Sequence, residues 1–98
     1  MVIRLVQMTF QPEEVETFLA IFEASKSKIR AFEGCEYLEL IQDSKQPHVL
    51  LTHSHWTGPE SLEAYRQSEL FRSTWAKTKV LFAEKPWARS FQRLFKVD

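Results

Sequence analysis

Hydrophobic positions change period several times along the chain, and each change predicts a new element. VIRLVQMTF, Val2 to Phe10, is rich in β-formers and breaks off at Gln11-Pro12-Glu13-Glu14, where proline suits a first helical turn and the acids complement its dipole. Val15, Phe18, Leu19, Phe22, Ile29 and Phe32 then recur at helical spacing, with Glu16, Glu23, Lys26, Lys28 and Arg30 on the other faces. This predicts one amphipathic helix reaching about Ala31 and ended by Glu33-Gly34. CEYLELIQD, Cys35 to Asp43, alternates as a strand, Ser44-Lys45-Gln46-Pro47 turns the chain, and HVLLTHSHW, His48 to Trp56, is the returning strand of a hairpin.

Thr57-Gly58-Pro59-Glu60 fits a capping box, with threonine as the N-cap and glutamate three residues on. A second helical region is expected there. Leu62, Tyr65, Leu70, Phe71, Trp75, Thr78, Leu81 and Phe82 mark its inner face, with Ser68 a candidate cap for a second segment at a break. After Pro86, WARSFQRLFKV, Trp87 to Val97, alternates as a final strand. Strand, helix, strand, strand, helix, strand is the order of the ferredoxin-like split βαβ arrangement, an α+β fold, here filling residues 1–98 as one domain. Such a sheet carries helices on one face only. Yet the first strand is apolar on both sides, Val2, Val6, Met8 and Phe10 on one and Ile3 and Leu5 on the other, so a second subunit is expected to cover the free face. A homodimer with sheets packed face to face follows.

Composition sharpens this picture. Ninety-eight residues bury only about two-thirds of their unfolded surface, so eight Phe, three Trp and two Tyr are a heavy aromatic load, part of which is expected in an interface or a ligand pocket. Thirteen basic and thirteen acidic side chains balance, leaving no bulk field to draw nucleic acid or an anionic membrane. No apolar run approaches membrane-spanning length and no leader pattern precedes the first strand, so a soluble cytoplasmic protein is expected. The single cysteine, Cys35, excludes an intrachain disulfide or a multi-cysteine metal centre and reads as a small buried hydrophobe.

THSHW, Thr52 to Trp56, carries the most conspicuous chemistry. His53 and His55 at alternate strand positions point the same way and would chelate a metal if a third ligand joined them, but Glu39, Asp43 and His48 are the nearest additions and none has convincing spacing. No metal site is assigned. As bases they are natural candidates, since unperturbed imidazole titrates near neutrality, and as structural groups both would hydrogen-bond in the sheet or at a dimer edge. Parity sets Thr52, Ser54 and Trp56 on the opposite face from His53 and His55, so only one set can line a cleft under the helices. Arg89 and Arg93 also share a face, either solvated or in ion pairs with Glu36 and Glu39 of the hairpin, or holding a substrate anion.

EGCEYLEL, the strand ending LLTHSHW, and GPESLEAYRQSELF together resemble the antibiotic biosynthesis monooxygenase family of small dimeric α+β barrels. Gly34-Cys35, Trp56, Leu62, Tyr65, Ser68 and Phe71 carry the resemblance, which spans almost the whole chain. The family includes haem-degrading enzymes, and alignment through Trp56 puts Gln7, Tyr65 and Trp75 at the places of their site residues. Trp75 replaces the axial histidine, and indole has no lone pair for iron. The resemblance therefore implies the other branch, cofactor-free monooxygenation of a small aromatic quinol or polyketide-like substrate. That chemistry needs a base, with His53 or His55 the candidates, and donors to a substrate oxyanion, with Gln7, Tyr65 and Trp75 the candidates. It also needs rings to stack on a planar substrate, for which Phe71, Phe82 and Trp87 are available. The rival is a non-catalytic dimeric module that binds a small hydrophobic ligand or serves a stress response, and a haem-binding or haem-degrading protein is the third reading.

Overall fold

In the computed structural model, which describes residues 1–98, the chain runs through β1 (Val2–Thr9), α1 (Val15–Arg30), β2 (Cys35–Gln42), β3 (Val49–Trp56), α2 (Pro59–Arg66), α3 (Glu69–Lys79) and β4 (Trp87–Phe91). The strands form one antiparallel sheet in the order β2-β3-β1-β4, the ferredoxin-like α+β topology that the element order predicts. Its second helical region is broken at Ser68. The Ser68 hydroxyl donates to the Tyr65 carbonyl at 2.6 Å and accepts the Phe71 N–H at 3.1 Å, so one side chain closes α2 and opens α3. No helix is long and apolar enough to cross a membrane.

Strand parity divides the sheet into two unlike faces. Even positions of β1 and β3 turn toward the helices, where Met8 and Leu50 join Phe10, Phe18 and Leu81 in one buried cluster, and Trp56 joins Cys35 and Leu62 in another. Phe10 and Trp56 are the two large side chains with essentially no exposure. Odd positions, among them Ile3, Leu5, Gln7, Leu51, His53 and His55, turn to the face that carries no helix.

Along β2 the alternation is interrupted. Cys35 pairs with Trp56 but Tyr37 pairs with His55, so the register slips by one residue at Glu36. This bulge reverses the parity of everything after it. Cys35 turns inward and is buried, while Tyr37, Glu39 and Ile41 turn outward beside His55, His53 and Leu51.

Three local expectations change. The N-cap of α2 is Gly58 rather than Thr57, because Pro59 occupies the first turn and the residue before a proline is driven to extended geometry, here φ −170°. The reciprocal side chain is Ser61, whose hydroxyl oxygen accepts the Gly58 N–H at 3.2 Å and donates to the Gly58 carbonyl at 2.9 Å, in place of Glu60. The final strand stops at Phe91, short of Val97. Phe91 lies opposite Ile3, so β1 runs out within two further residues and the chain beyond has no strand to pair with. Leu94, Phe95 and Val97 are consequently more than four-fifths exposed. Finally, β2 and β4 occupy opposite edges of the sheet, which rules out pairing of Arg89 with Glu36 or Glu39 within one chain. Arg89 instead lies over Trp87 and Phe91, 5.7 and 5.4 Å from their ring centroids.

Gly34 fastens the two halves together. Its φ of +91° is in the region that favours glycine, its carbonyl accepts the Thr57 N–H at 2.9 Å, and a Cβ there would overlap the Ser61 side chain. Gly34→Ala combines backbone strain with overpacking and should cost about 2–4 kcal/mol in urea unfolding. A loss within the error of the wild-type measurement would contradict this account of the junction.

Candidate functional site

A cavity of about 270 Å³ lies between the sheet and the three helices, near the lower end of the usual range for small-molecule pockets. One wall is a run of aromatic rings. Trp56 stacks on Tyr65 (centroids 4.8 Å, interplanar angle 25°), Tyr65 meets Phe71 edge-on at 5.2 Å, and Phe71 stacks on Trp75 at 5.7 Å and 11°. The break at Ser68 makes this possible. A single straight helix would carry Tyr65, Phe71 and Trp75 on a drifting face, whereas the cap resets the direction of α3 so that all three rings border one space. Trp56 is fixed from below, its indole N–H donating to the Ser54 hydroxyl at 3.0 Å.

Polar groups interrupt the apolar lining at a few points. Arg4, Thr52 and Ser54 enter from the sheet, and Arg66, Thr74 and Thr78 from the helices. Thr78 is occupied, donating to the Thr74 carbonyl at 2.8 Å. The Tyr65 hydroxyl and the Trp75 indole N–H make no hydrogen bond within the chain, and neither is sealed from solvent. Burial, with a smaller contribution from Cys35, pushes the Tyr65 pKa far above that of ordinary tyrosine, so the group is a proton-bearing donor rather than a base. No histidine, lysine or carboxylate lines the cavity.

Of the residues that the sequence singles out, Tyr65, Phe71 and Trp75 are brought together there. Phe82 packs one layer behind, against Trp75 at 5.5 Å and Phe10 at 5.3 Å, as part of the core. Gln7, Trp87, His53 and His55 lie on the other face of the sheet, so the parity question of THSHW has its answer: Thr52, Ser54 and Trp56 face the cavity. The lining also lacks an imidazole or thiolate for haem iron, burial keeps the Tyr65 phenol protonated and so unsuited to ligate it, and Met8 is packed into the core. This donor set does not suit a haem.

The outward histidines form a small network of their own. His53 Nδ1 is 2.9 Å from Glu39 Oε1, and His53 Nε2 is 2.9 Å from His55 Nε2. With both rings neutral, His53 donates from Nδ1 to the carboxylate, which leaves its Nε2 to accept the N–H of His55. Tyr37 lies against both rings, at 5.2 and 4.8 Å. Glu39 meets His53 at Nδ1, away from the facing Nε2 atoms, and no group of three or more histidine, cysteine or carboxylate side chains is arranged to hold a metal ion. Burial, then the neighbouring His53 and Arg93 charges, hold the His55 pKa below its usual value, with Glu36 and Glu39 opposing.

The two charged residues of the cavity, Arg4 and Arg66, escaped the sequence reading. A signal for Arg4 existed: it is the one charged residue among the even positions of β1, between Val2 and Val6. Arg66 had none, because a basic residue at the last turn of a helix is what the helix dipole favours anyway.

Solved structures of the same architecture are numerous. A protein from Nitrosomonas europaea named as an antibiotic biosynthesis monooxygenase superposes with a TM-score of 0.90 at 12% identity, over 97% of this chain and all of that one. One of the same name from Deinococcus radiodurans gives 0.89 at 15% identity, over 100% and 97%. A conserved protein from Methanosarcina mazei gives 0.88 at 19%, over 94% and 92%. At these identities the likeness establishes the fold. No curated protein sequence matches the chain. The family model for antibiotic biosynthesis monooxygenase, however, matches residues 1–77, which includes β1, α2 and all but the last two residues of α3. The chain belongs to the antibiotic biosynthesis monooxygenase family.

Proposed function

We propose that this protein is a cofactor-independent monooxygenase for a small, electron-rich aromatic substrate of the quinol or anthrone class. The observation that carries the reading is the cavity itself, an aromatic wall in which two proton donors, Tyr65 Oη and Trp75 Nε1, have no partner in the chain. Bound between the rings and the sheet, the substrate anion would accept hydrogen bonds from both. Donors aimed at an oxyanion lower the substrate's own pKa and hold the ionised form against the aromatic wall. The anion then passes one electron to O₂, the radical pair combines to a hydroperoxide, and loss of water leaves a carbonyl where a C–H stood. The cavity supplies no base, so the substrate proton leaves to solvent, and the histidine pair has a role outside the site.

That role lies in the second part of the proposal, a homodimer through the helix-free face. Ile3, Leu5 and Leu51 form the middle of this face, and Tyr37, Ile41, Trp87 and Phe91 are each about 40% exposed around them. An antiparallel sheet facing water would be polar there. Leu94, Phe95 and Val97 of the C-terminal segment are further exposed apolar side chains that a partner could cover.

A second reading, a ligand-binding module without turnover, is favoured by one observation, the lack of any group in the cavity that titrates near neutrality. Oxygen uptake separates the two. With a panel of quinols and anthrones, the wild type should consume O₂ in a substrate-dependent way. Tyr65→Phe should lower kcat/KM by about 100- to 1,000-fold, as expected for losing one oxyanion donor, and His53→Ala should change it far less. No uptake with any member of the panel would favour the binding module, and equal losses in the two variants would return the histidines to the chemistry.

Light scattering should give twice the chain mass, and Leu51→Glu, a charge in the middle of the free face, should give one. A wild-type monomer would refute the dimer. The pH dependence follows from His55. Its folded-state pKa lies below the unfolded value, so the unfolded chain binds more protons. Stability is therefore full above about pH 6.5 and declines as pH falls toward the folded-state pKa. Glu39 stays ionised through this window, because hydrogen bonds from His53 and then Tyr37 hold its pKa below the usual carboxylate value. The urea midpoint should fall between about pH 7 and about pH 5, and less so in His55→Gln. An identical fall in that variant would assign the effect to another group.

A further inference from the structure

Arg4 is the feature of the cavity that the oxygenase reading leaves unused. It sits on a central strand, on the helix-facing side, directly opposite Ser54 of β3 and Ser90 of β4. Its guanidinium has one hydrogen bond, Nη1 to Ser90 Oγ at 3.0 Å, and no carboxylate within 4 Å. Arg66 lines the same cavity from the end of α2, but its Nη1 is held by Glu63 Oε2 at 3.0 Å. Glu63 thus balances one of the two positive charges and leaves the other uncompensated. Burial first, and then the Arg66 charge, push the Arg4 pKa below the ordinary arginine value, while Glu63 acts in the opposite direction. Partly buried, unpaired with any carboxylate and bonded only to Ser90, Arg4 is free to take an anion in the cavity. Beside it, buried Ser54 accepts the Trp56 N–H and leaves its own O–H proton without a partner in the chain.

We propose that the cavity selects aromatic ligands bearing a carboxylate, the carboxylate docking on Arg4 and the Ser54 hydroxyl while the ring stacks along the Tyr65–Phe71–Trp75 wall. This deepens the proposed function by naming a substrate class, and it rests on that reading's use of the cavity as the substrate site. The planar fork of one guanidinium matches a carboxylate in two parallel hydrogen bonds. A phosphate would bring a second negative charge to a cavity whose other cation, Arg66, is already paired with Glu63.

Calorimetric titration with 2-naphthoate and its near-isosteric neutral partner 2-naphthamide tests the proposal without requiring turnover. Wild type should bind the carboxylate about tenfold or more tightly than the amide, as hydrogen bonds to a charged group predict, and added salt should narrow the gap. Arg4→Gln should abolish the preference by weakening the carboxylate. Arg4→Lys, which keeps the charge and loses the fork, should fall between the two and stands in if the glutamine variant does not fold. Equal affinities in wild type, a preference that survives Arg4→Gln, or no binding of either compound would each overturn the proposal. Oxygen uptake keeps the two readings apart. Turnover of neutral quinols with no carboxylate preference in binding sinks this inference and spares the oxygenase. Carboxylate-selective binding with no uptake on any quinol does the reverse.

Discussion

Burial of Trp56 is the constraint on which the rest of the site depends. It ends β3 with essentially no exposure, its indole N–H is satisfied by Ser54 two residues back, and its ring supports Tyr65 in a near-parallel stack. An indole placed inside must bring the alternating partners of its strand with it, so Ser54 and Thr52 face the helices and His53 and His55 cannot. The stack then sets where Tyr65 points, Tyr65 positions Phe71, and Phe71 positions Trp75. One buried side chain therefore determines both which face of the sheet lines the cavity and the order of the rings above it.

The same alternation creates the second surface. With the helices confined to one side, the odd positions of β1 and β3 are left to solvent or to another molecule, and the bulge at Glu36 adds Tyr37, Glu39 and Ile41 to them. Without the bulge, Cys35 and Tyr37 would share a face. Either the cysteine would leave the Trp56 cluster or the tyrosine and its glutamate would leave the histidines. The bulge allows β2 to serve both the core and the outer network.

Much of this was legible in the sequence, and the limits were physical. Element order and type followed from period and turn chemistry, and the apolar character of both faces of β1 was visible in Ile3, Leu5, Val6 and Met8. Ser68 was visible as a cap because serine before an apolar helical run has few other uses. The bulge was invisible, since CEYLELIQD reads as regular alternation and only pairing with β3 reveals the slip. The end of β4 at Phe91 was invisible for a similar reason: WARSFQRLFKV alternates to its end, but a strand needs a neighbour, and β1 stops. Parity within THSHW was legible, but not its sign. Histidines attract functional readings, whereas the decisive residue was the tryptophan next to them. Arg4, written between Val2 and Val6, was the clearest signal passed over, because a charge on a core-facing position has to answer to something inside.

In the proposed function the space between helices and sheet receives the aromatic ligand, and the histidine-bearing face does not. Three tryptophans report on it separately, since Trp56 and Trp75 border the cavity and Trp87 lies on the opposite face of the sheet. In an ¹⁵N-correlated NMR titration with a small soluble hydroquinone, the indole N–H of Trp75 should shift saturably, with a smaller response from Trp56 and none from Trp87. A response led by Trp87, with the Trp75 signal unmoved at saturation, would place the ligand on the other side of the sheet and contradict the account.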